Sequence, residues 1–152
     1  MFFDEKIALF NQHCETQEDV FTLLAGEFIK KGVAKETFVQ GLKDREAVFP
    51  TGLRLNNMGV AIPHTDIVHV NKAQIGFMTL DAPIRFREMG TEDQYVDVQV
   101  IFMLALKEPH QQLETLQALM ALFMNDELME KLQKVDNYED YYQIIKESGL
   151  DN

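Results

Sequence analysis

The stretch YVDVQVIFMLAL, residues 95–106, constrains the fold more than any other part of the chain. It begins by alternating, with Val96, Val98 and Val100 set between polar or acidic residues, and then becomes apolar without a break. Alternation marks a strand with one covered face, and an unbroken apolar run of this length marks a strand covered on both. A strand of the second kind sits at the centre of a sheet and needs a layer above and a layer below it.

The flanking sequence supplies those layers. Residues 2–11 place Phe3, Ile7 and Phe10 at helical spacing and predict a first helix. Thr16 is an N-cap for a second, with Asp19 at the acidic N3 position and a stop at Gly32. A third, from about Lys35, carries Phe38, Val39 and Leu42 on one face and ends before Pro50. FPTGL reads as turn chemistry, and Asn56 and Asn57 lead into a short strand over residues 59–62. A further strand is expected over residues 73–80, broken by Asp81-Ala82-Pro83. After residue 106 the pattern is helical again: a broad stripe of Leu113, Leu116, Leu119, Met120 and Phe123, then shorter helices over 125–133 and 138–147. The expectation is an α/β fold: one domain over residues 1–152, core about 3–147, its mixed sheet sandwiched between helical layers.

Composition bears on function mainly by exclusion. With 25 acidic and 14 basic residues the formal net charge is −11, so a nucleic-acid polyanion would be repelled, whereas a partner with a basic patch would be attracted. A single cysteine, Cys14, rules out an internal disulfide and fits a reducing compartment. No basic n-region opens the chain, and no apolar run approaches the ~20 residues of a membrane span; the expected location is cytoplasmic, with no direct membrane insertion. The only serine, Ser148, lies in the tail segment ESGLDN, which disfavours a serine nucleophile. The eight glycines form no phosphate or dinucleotide loop, and no zinc-spaced Cys/His pairs occur. Neither a cofactor nor a metal is expected.

Four histidines remain. His13 is read as structural or exposed at the end of the first predicted helix. His69 lies in a loop, where a metal site with His64 and Asp66 is conceivable but short of a strong third ligand. GVAIPHTD, residues 59–66, delivers His64 to the end of a strand, where Pro63 stops the hydrogen-bond ladder. His110 follows Glu108-Pro109, so it belongs in the first turn of the long helix, where N–H groups gather. If the two strand ends share an edge, the imidazoles can meet at the place where open α/β sheets hold ligands. Arg45, next to Glu46 at the end of the third helix, is either half of an ordinary exposed ion pair or a guanidinium aimed at an anion. Two imidazoles, an arginine and a helix N-terminus compose a metal-free phosphate site, in which a histidine can itself be the nucleophile. The other reading is a set of surface histidines.

Taken in order, RE-x-x-FPTGL (residues 45–53), GVAIPHTD, FREMG (86–90) and VQVIFMLALKEPHQQLETLQALM (98–120) resemble the enzyme IIA domains of the sugar phosphotransferase system, in the fructose/mannitol-type superfamily. FREMG and the region around His110 are most similar to the galactitol-type members. The resemblance covers nearly the whole chain and implies a free-standing phosphocarrier. His64 would accept a phosphoryl group from phospho-HPr, His110 and Arg45 would stabilise it, and a cysteine of enzyme IIB would receive it, serving the membrane enzyme IIC. Nitrogen-type relatives, which act as regulators through phosphorylation-dependent binding, are the alternative it leaves open. Apolar residues near the AIPH edge are expected to form a docking patch; Met58 and Met78 are candidates, though core is the commoner fate of such residues.

Overall fold

A computed structural model describes residues 2–151; Met1 and Asn152, the ends of the expected 1–152 domain, lie outside the described residues. Five strands form one mixed sheet: β1 (Ala8–Gln12), β2 (Gly52–Arg54), β3 (Gly59–Ala61), β4 (Gln74–Arg87) and β5 (Tyr95–Ala105). The spatial order is β1-β4-β5-β3-β2, which puts β5 at the centre. β1 runs parallel to β4 and β3 parallel to β5, while β4/β5 and β2/β3 are antiparallel.

Helices α1 (Gln17–Lys30) and α2 (Phe38–Val48) cover one face. Phe21, Leu24, Phe28, Phe38 and Leu42 pack there against Met78, Phe86, Ile101 and Met103. Helices α3 (Pro109–Phe123), α4 (Asp126–Lys134) and α5 (Tyr138–Ser148) cover the other, where Leu119, Phe123, Leu132 and Tyr141 meet Val60, Phe77, Val100 and Phe102. The apolar half of β5 therefore feeds alternate residues into two cores, which is why it carries no polar face. The capping signals also hold locally: Thr16 and Asp19 form a reciprocal capping box at the start of α1.

Three expectations are corrected. Residues 2–11 are not a helix: β1 pairs with β4 as an edge strand, with Ile7 in one core and Phe10 packed on the other. The spacing of Phe3, Ile7 and Phe10 suits a helix, but the compact run Ile7-Ala8-Leu9-Phe10 also suits a strand, and tertiary pairing decides. With that helix gone, His13 sits instead at a strand end, between the Asp81 and Glu15 carboxylates at 3.1 and 2.7 Å. Its pKa is raised by Glu15 first and Asp81 second. Next, β4 does not stop at residue 80. Its register with β5 shifts between Thr79 and Ile84, so Asp81-Ala82-Pro83 bulge out exposed and the strand resumes; Pro83, which cannot donate, is accommodated at the bulge. Finally, the glycine of FPTGL opens strand β2 rather than remaining in a turn.

Candidate functional site

The site is assembled by the parallel pairing of β3 with β5. Val60 lies opposite Val100 and Ala61 opposite Ile101, and beyond Pro63 the pairing continues as a bridge between His64 and Leu104. Leu104 N–H donates to the Pro63 carbonyl at 2.9 Å. The close approach of the two strands depends on Gly59, where a Cβ would stand 2.0 Å from the Asp97 carbonyl oxygen. His64 is thus fixed at the C-terminal edge of the central strands.

Its ring is half-buried, and Nδ1 lies 2.7 Å from the Ile62 carbonyl oxygen. A carbonyl only accepts, so Nδ1 carries the proton and Nε2 keeps its lone pair in the neutral ring. Burial lowers the pKa of His64, and the nearby Arg45 guanidinium pushes it the same way, against the pull of the Ile62 carbonyl. The lowered pKa and the Nδ1 contact together favour a neutral imidazole whose Nε2 carries the free lone pair.

Arg45, in the last turn of α2, lies near enough for its charge to act on this ring. Its guanidinium lies 5.0 Å from the Phe49 ring centroid and 3.5 Å from an Asp66 carboxylate oxygen. Among the described residues its Nε is buried with no hydrogen-bond partner, a donor free to serve an added anion. Asp66, Thr65, Val48, Phe49 and His69 line a cleft of about 280 Å³ beside it. The His69 ring packs on α2 at Gly41, where a Cβ would come within 2.8 Å of it, and its Nδ1 is 2.8 Å from Thr37 Oγ1. The conceivable metal trio is therefore dispersed: His64 engages Ile62, Asp66 faces Arg45, and His69 engages Thr37. No three His, Cys, Asp or Glu side chains converge for an ion among the described residues.

His110 lies in the first turn of α3, behind Pro109 and the Glu108–Gln111 capping box. Because β3 and β5 are parallel, it occupies the same sheet edge as His64. Its side chain is exposed and lines a different groove, of about 420 Å³, with Gln111, Glu114 and Asp151. The structure thus brings Arg45 to His64 and places His110 on the shared edge, facing a separate groove.

Glu46 departs from the sequence reading as half of an exposed Arg–Glu pair. It is 6% exposed and accepts from Thr51 N–H at 2.7 Å and Thr51 Oγ1 at 2.8 Å. Burial raises its pKa, against the pull of the Thr51 donors and of Arg87. Met78 is fully buried and Met58 packs on a core, so neither forms the docking patch. Exposed apolar side chains near the cleft are instead Val48, Phe49, Ile67 and Val68, with Met89 beyond. Apolar pairs beside turn signals, Val48-Phe49 before Pro50 and Ile67-Val68 after Asp66, were the available sequence signal for them.

The family model for "Phosphoenolpyruvate-dependent sugar phosphotransferase system, EIIA 2" matches residues 1–148. The chain belongs to this family. The galactitol-specific EIIA component of Escherichia coli K12 is 31% identical to it over 116 residues, covering 76% of this chain and 77% of that protein. A nitrogen regulatory protein of Klebsiella oxytoca is 23% identical over 142 residues, covering 92% and 85%. Among solved structures, the E. coli complex of mannitol enzyme IIA with phosphorylated mannitol enzyme IIB superposes with a TM-score of 0.75 at 19% identity, covering 95% of this chain and 96% of that one. This enzyme IIA is accordingly a phosphotransferase-system component of the mannitol-type fold, and no helix among its described residues is long and apolar enough to cross a membrane.

Proposed function

We propose that this enzyme IIA is a phosphocarrier: His64 accepts a phosphoryl group from phospho-HPr and passes it to a cysteine of enzyme IIB, and enzyme IIC takes up a sugar or polyol of the galactitol class. The observation that carries this reading is the Nδ1–H bond of His64 to the Ile62 carbonyl, which presents a neutral Nε2 beside a guanidinium with a free donor. In the first transfer the Nε2 lone pair attacks phosphorus, and the P–N bond to the donor histidine breaks. That bond's electron pair returns to the donor ring. His64 loses no proton: Nδ1–H stays on the Ile62 carbonyl, whose dipole faces the positive charge the ring acquires. In the second transfer a thiolate sulfur attacks the same phosphorus, and the N–P electron pair returns to Nε2.

Arg45 is assigned to the phosphoryl oxygens, which its planar fork suits. His110 is assigned as a second stabiliser from its motif position and its place at a helix N-terminus on the shared edge. To act it must turn from its own groove toward β3. Val48, Phe49, Ile67 and Val68 form the apolar rim that both protein partners would press against, since both must reach one nitrogen. Such a carrier works in the cytoplasm, needing neither metal nor cofactor.

Incubation with enzyme I, HPr and phosphoenolpyruvate tests the reading. One acid-labile phosphoryl group is expected by mass. It should be absent in His64→Ala, poorly retained in His110→Ala, and acquired roughly 10–100-fold more slowly in Arg45→Lys. Labelling that persists in His64→Ala defeats the assignment. The similarity to a nitrogen regulatory protein supports a second reading, phosphorylation-dependent regulation. Onward transfer to a galactitol-class enzyme IIB favours transport; a phosphorylated protein that passes nothing to any IIB favours regulation.

A further inference from the structure

Among the described residues Glu46 is the one buried acid beside the site, and the phosphoryl chemistry gives it no task. Its carboxylate begins a continuous hydrogen-bonded chain. Thr51 donates to it twice, at 2.7 and 2.8 Å. The Thr51 carbonyl in turn accepts from Ile62 N–H at 3.3 Å, and the Ile62 carbonyl accepts from His64 Nδ1–H at 2.7 Å. Thr51 is itself buried, and the residue after Ile62 is Pro63, which has no N–H to continue the ladder. The Thr51–Ile62 link is therefore the last backbone bond holding β3 against its antiparallel neighbour before the histidine.

We infer that Glu46 is a positioning residue: by clamping Thr51 it fixes the Ile62 carbonyl, and that carbonyl holds His64 in the Nδ1–H tautomer with Nε2 free for the phosphoryl group. Retaining a desolvated acid at this point makes sense only if its two donors are valuable, because an apolar residue would fill the space without the desolvation cost. The adjacent residues of the Arg45-Glu46 pair then have complementary tasks. One faces the phosphoryl group, and the other, turned inward on the same helix, orders the acceptor ring. The inference rests on His64 being the phosphoryl acceptor, but the tautomer it predicts is a property of the unphosphorylated protein.

The test uses ring ¹⁵N shifts of His64 in full-length protein without donor, alongside single-turnover transfer from phospho-HPr. Wild type should be Nδ1-protonated. Glu46→Gln can keep both contacts, its amide oxygen accepting from Thr51 N–H and its NH₂ donating to Oγ1, and should behave as wild type; Thr51→Ser should also. Glu46→Leu and Thr51→Val should shift the ring toward Nε2–H and slow transfer ~10–100-fold, the scale on which lost orienting partners act at histidine ligands. Thr51→Val, which keeps the backbone donor, decides the matter if Glu46→Leu does not fold. A folded Thr51→Val with wild-type ¹⁵N shifts and transfer rate overturns the inference. Wild type that shows the Nδ1–H tautomer but takes no phosphoryl group on His64 overturns the carrier reading and leaves the positioning role standing.

Discussion

A nucleophilic imidazole at neutral pH must be unprotonated, and three influences on His64 bear on that. Burial and Arg45 disfavour the cation, while the Ile62 carbonyl favours it; the balance lies below the ordinary value of 6.5. An NMR titration of the ring should therefore find a midpoint under 6.5, and Arg45→Gln should move it upward by removing a repelling charge. The same shift has a stability consequence with a definite sign. In the window between the lowered native value and 6.5 the unfolded chain binds the proton more readily, so stability from this group is present above 6.5 and lost as pH falls. His13, whose pKa is raised by two carboxylates, acts oppositely, contributing most at low pH. The difference in unfolding free energy between wild type and His64→Gln should thus grow as pH rises to 6.5 and level off above it. A difference that shrinks over that range would show that the ring is held as a cation.

At the scale of elements, the site is only as well placed as β3, a strand of three residues. Gly59→Ala would drive a methyl into the Asp97 carbonyl, 2.0 Å away, and the strands would have to part. Destabilisation of about 1–3 kcal/mol or more is expected by thermal or denaturant unfolding, with slower phosphoryl acceptance in whatever remains folded. Near-wild-type stability would mean that the β3–β5 contact is looser than the structure has it. The sequence made β5, the α1 capping box and the end of β3 readable because each is a local pattern: an apolar run, a Thr-x-x-Asp spacing, a proline. It made β1 unreadable because four apolar residues satisfy helix and strand periods alike, and only the neighbouring β4 chooses between them. The β4 bulge was hidden for a related reason, since proline punctuation looks the same whether a strand ends or detours. The position of His64 past a strand end and of Arg45 in the last turn of a helix was legible through their motifs. The inward turn of Glu46 was not, because its burial is a product of tertiary packing: Thr51, past the turn, donates to it and Arg87 from β4 lies close by, and no local pattern announces either contact.

At the scale of the whole molecule, the proposed carrier would use different parts of its surface for encounter and for docking. A net charge of −11 acts over the Debye length, ~10 Å at 0.1 M salt, and so speeds approach of a cationic partner without fixing its pose. On the proposed reading the pose depends on the apolar rim, of which Phe49, 58% exposed, is the largest member. Phe49 also carries the Arg45 guanidinium on its ring, so its loss would confound docking with catalysis. Two substitutions separate them. Phe49→Leu keeps most of the apolar contact but removes the cation–π support, and should lower the maximal transfer rate with little change in KM. Phe49→Ala removes both, and should in addition raise KM for phospho-HPr about tenfold, the ~1.4 kcal/mol expected of a central contact residue. Raising salt from ~20 mM to ~0.5 M should slow association in wild type and both variants by the same factor, because none of these changes alters charge. Transfer kinetics over that salt range measure all three. If Phe49→Ala changed the salt dependence while leaving KM alone, the division between a charged surface that steers and an apolar rim that docks would be wrong for this protein.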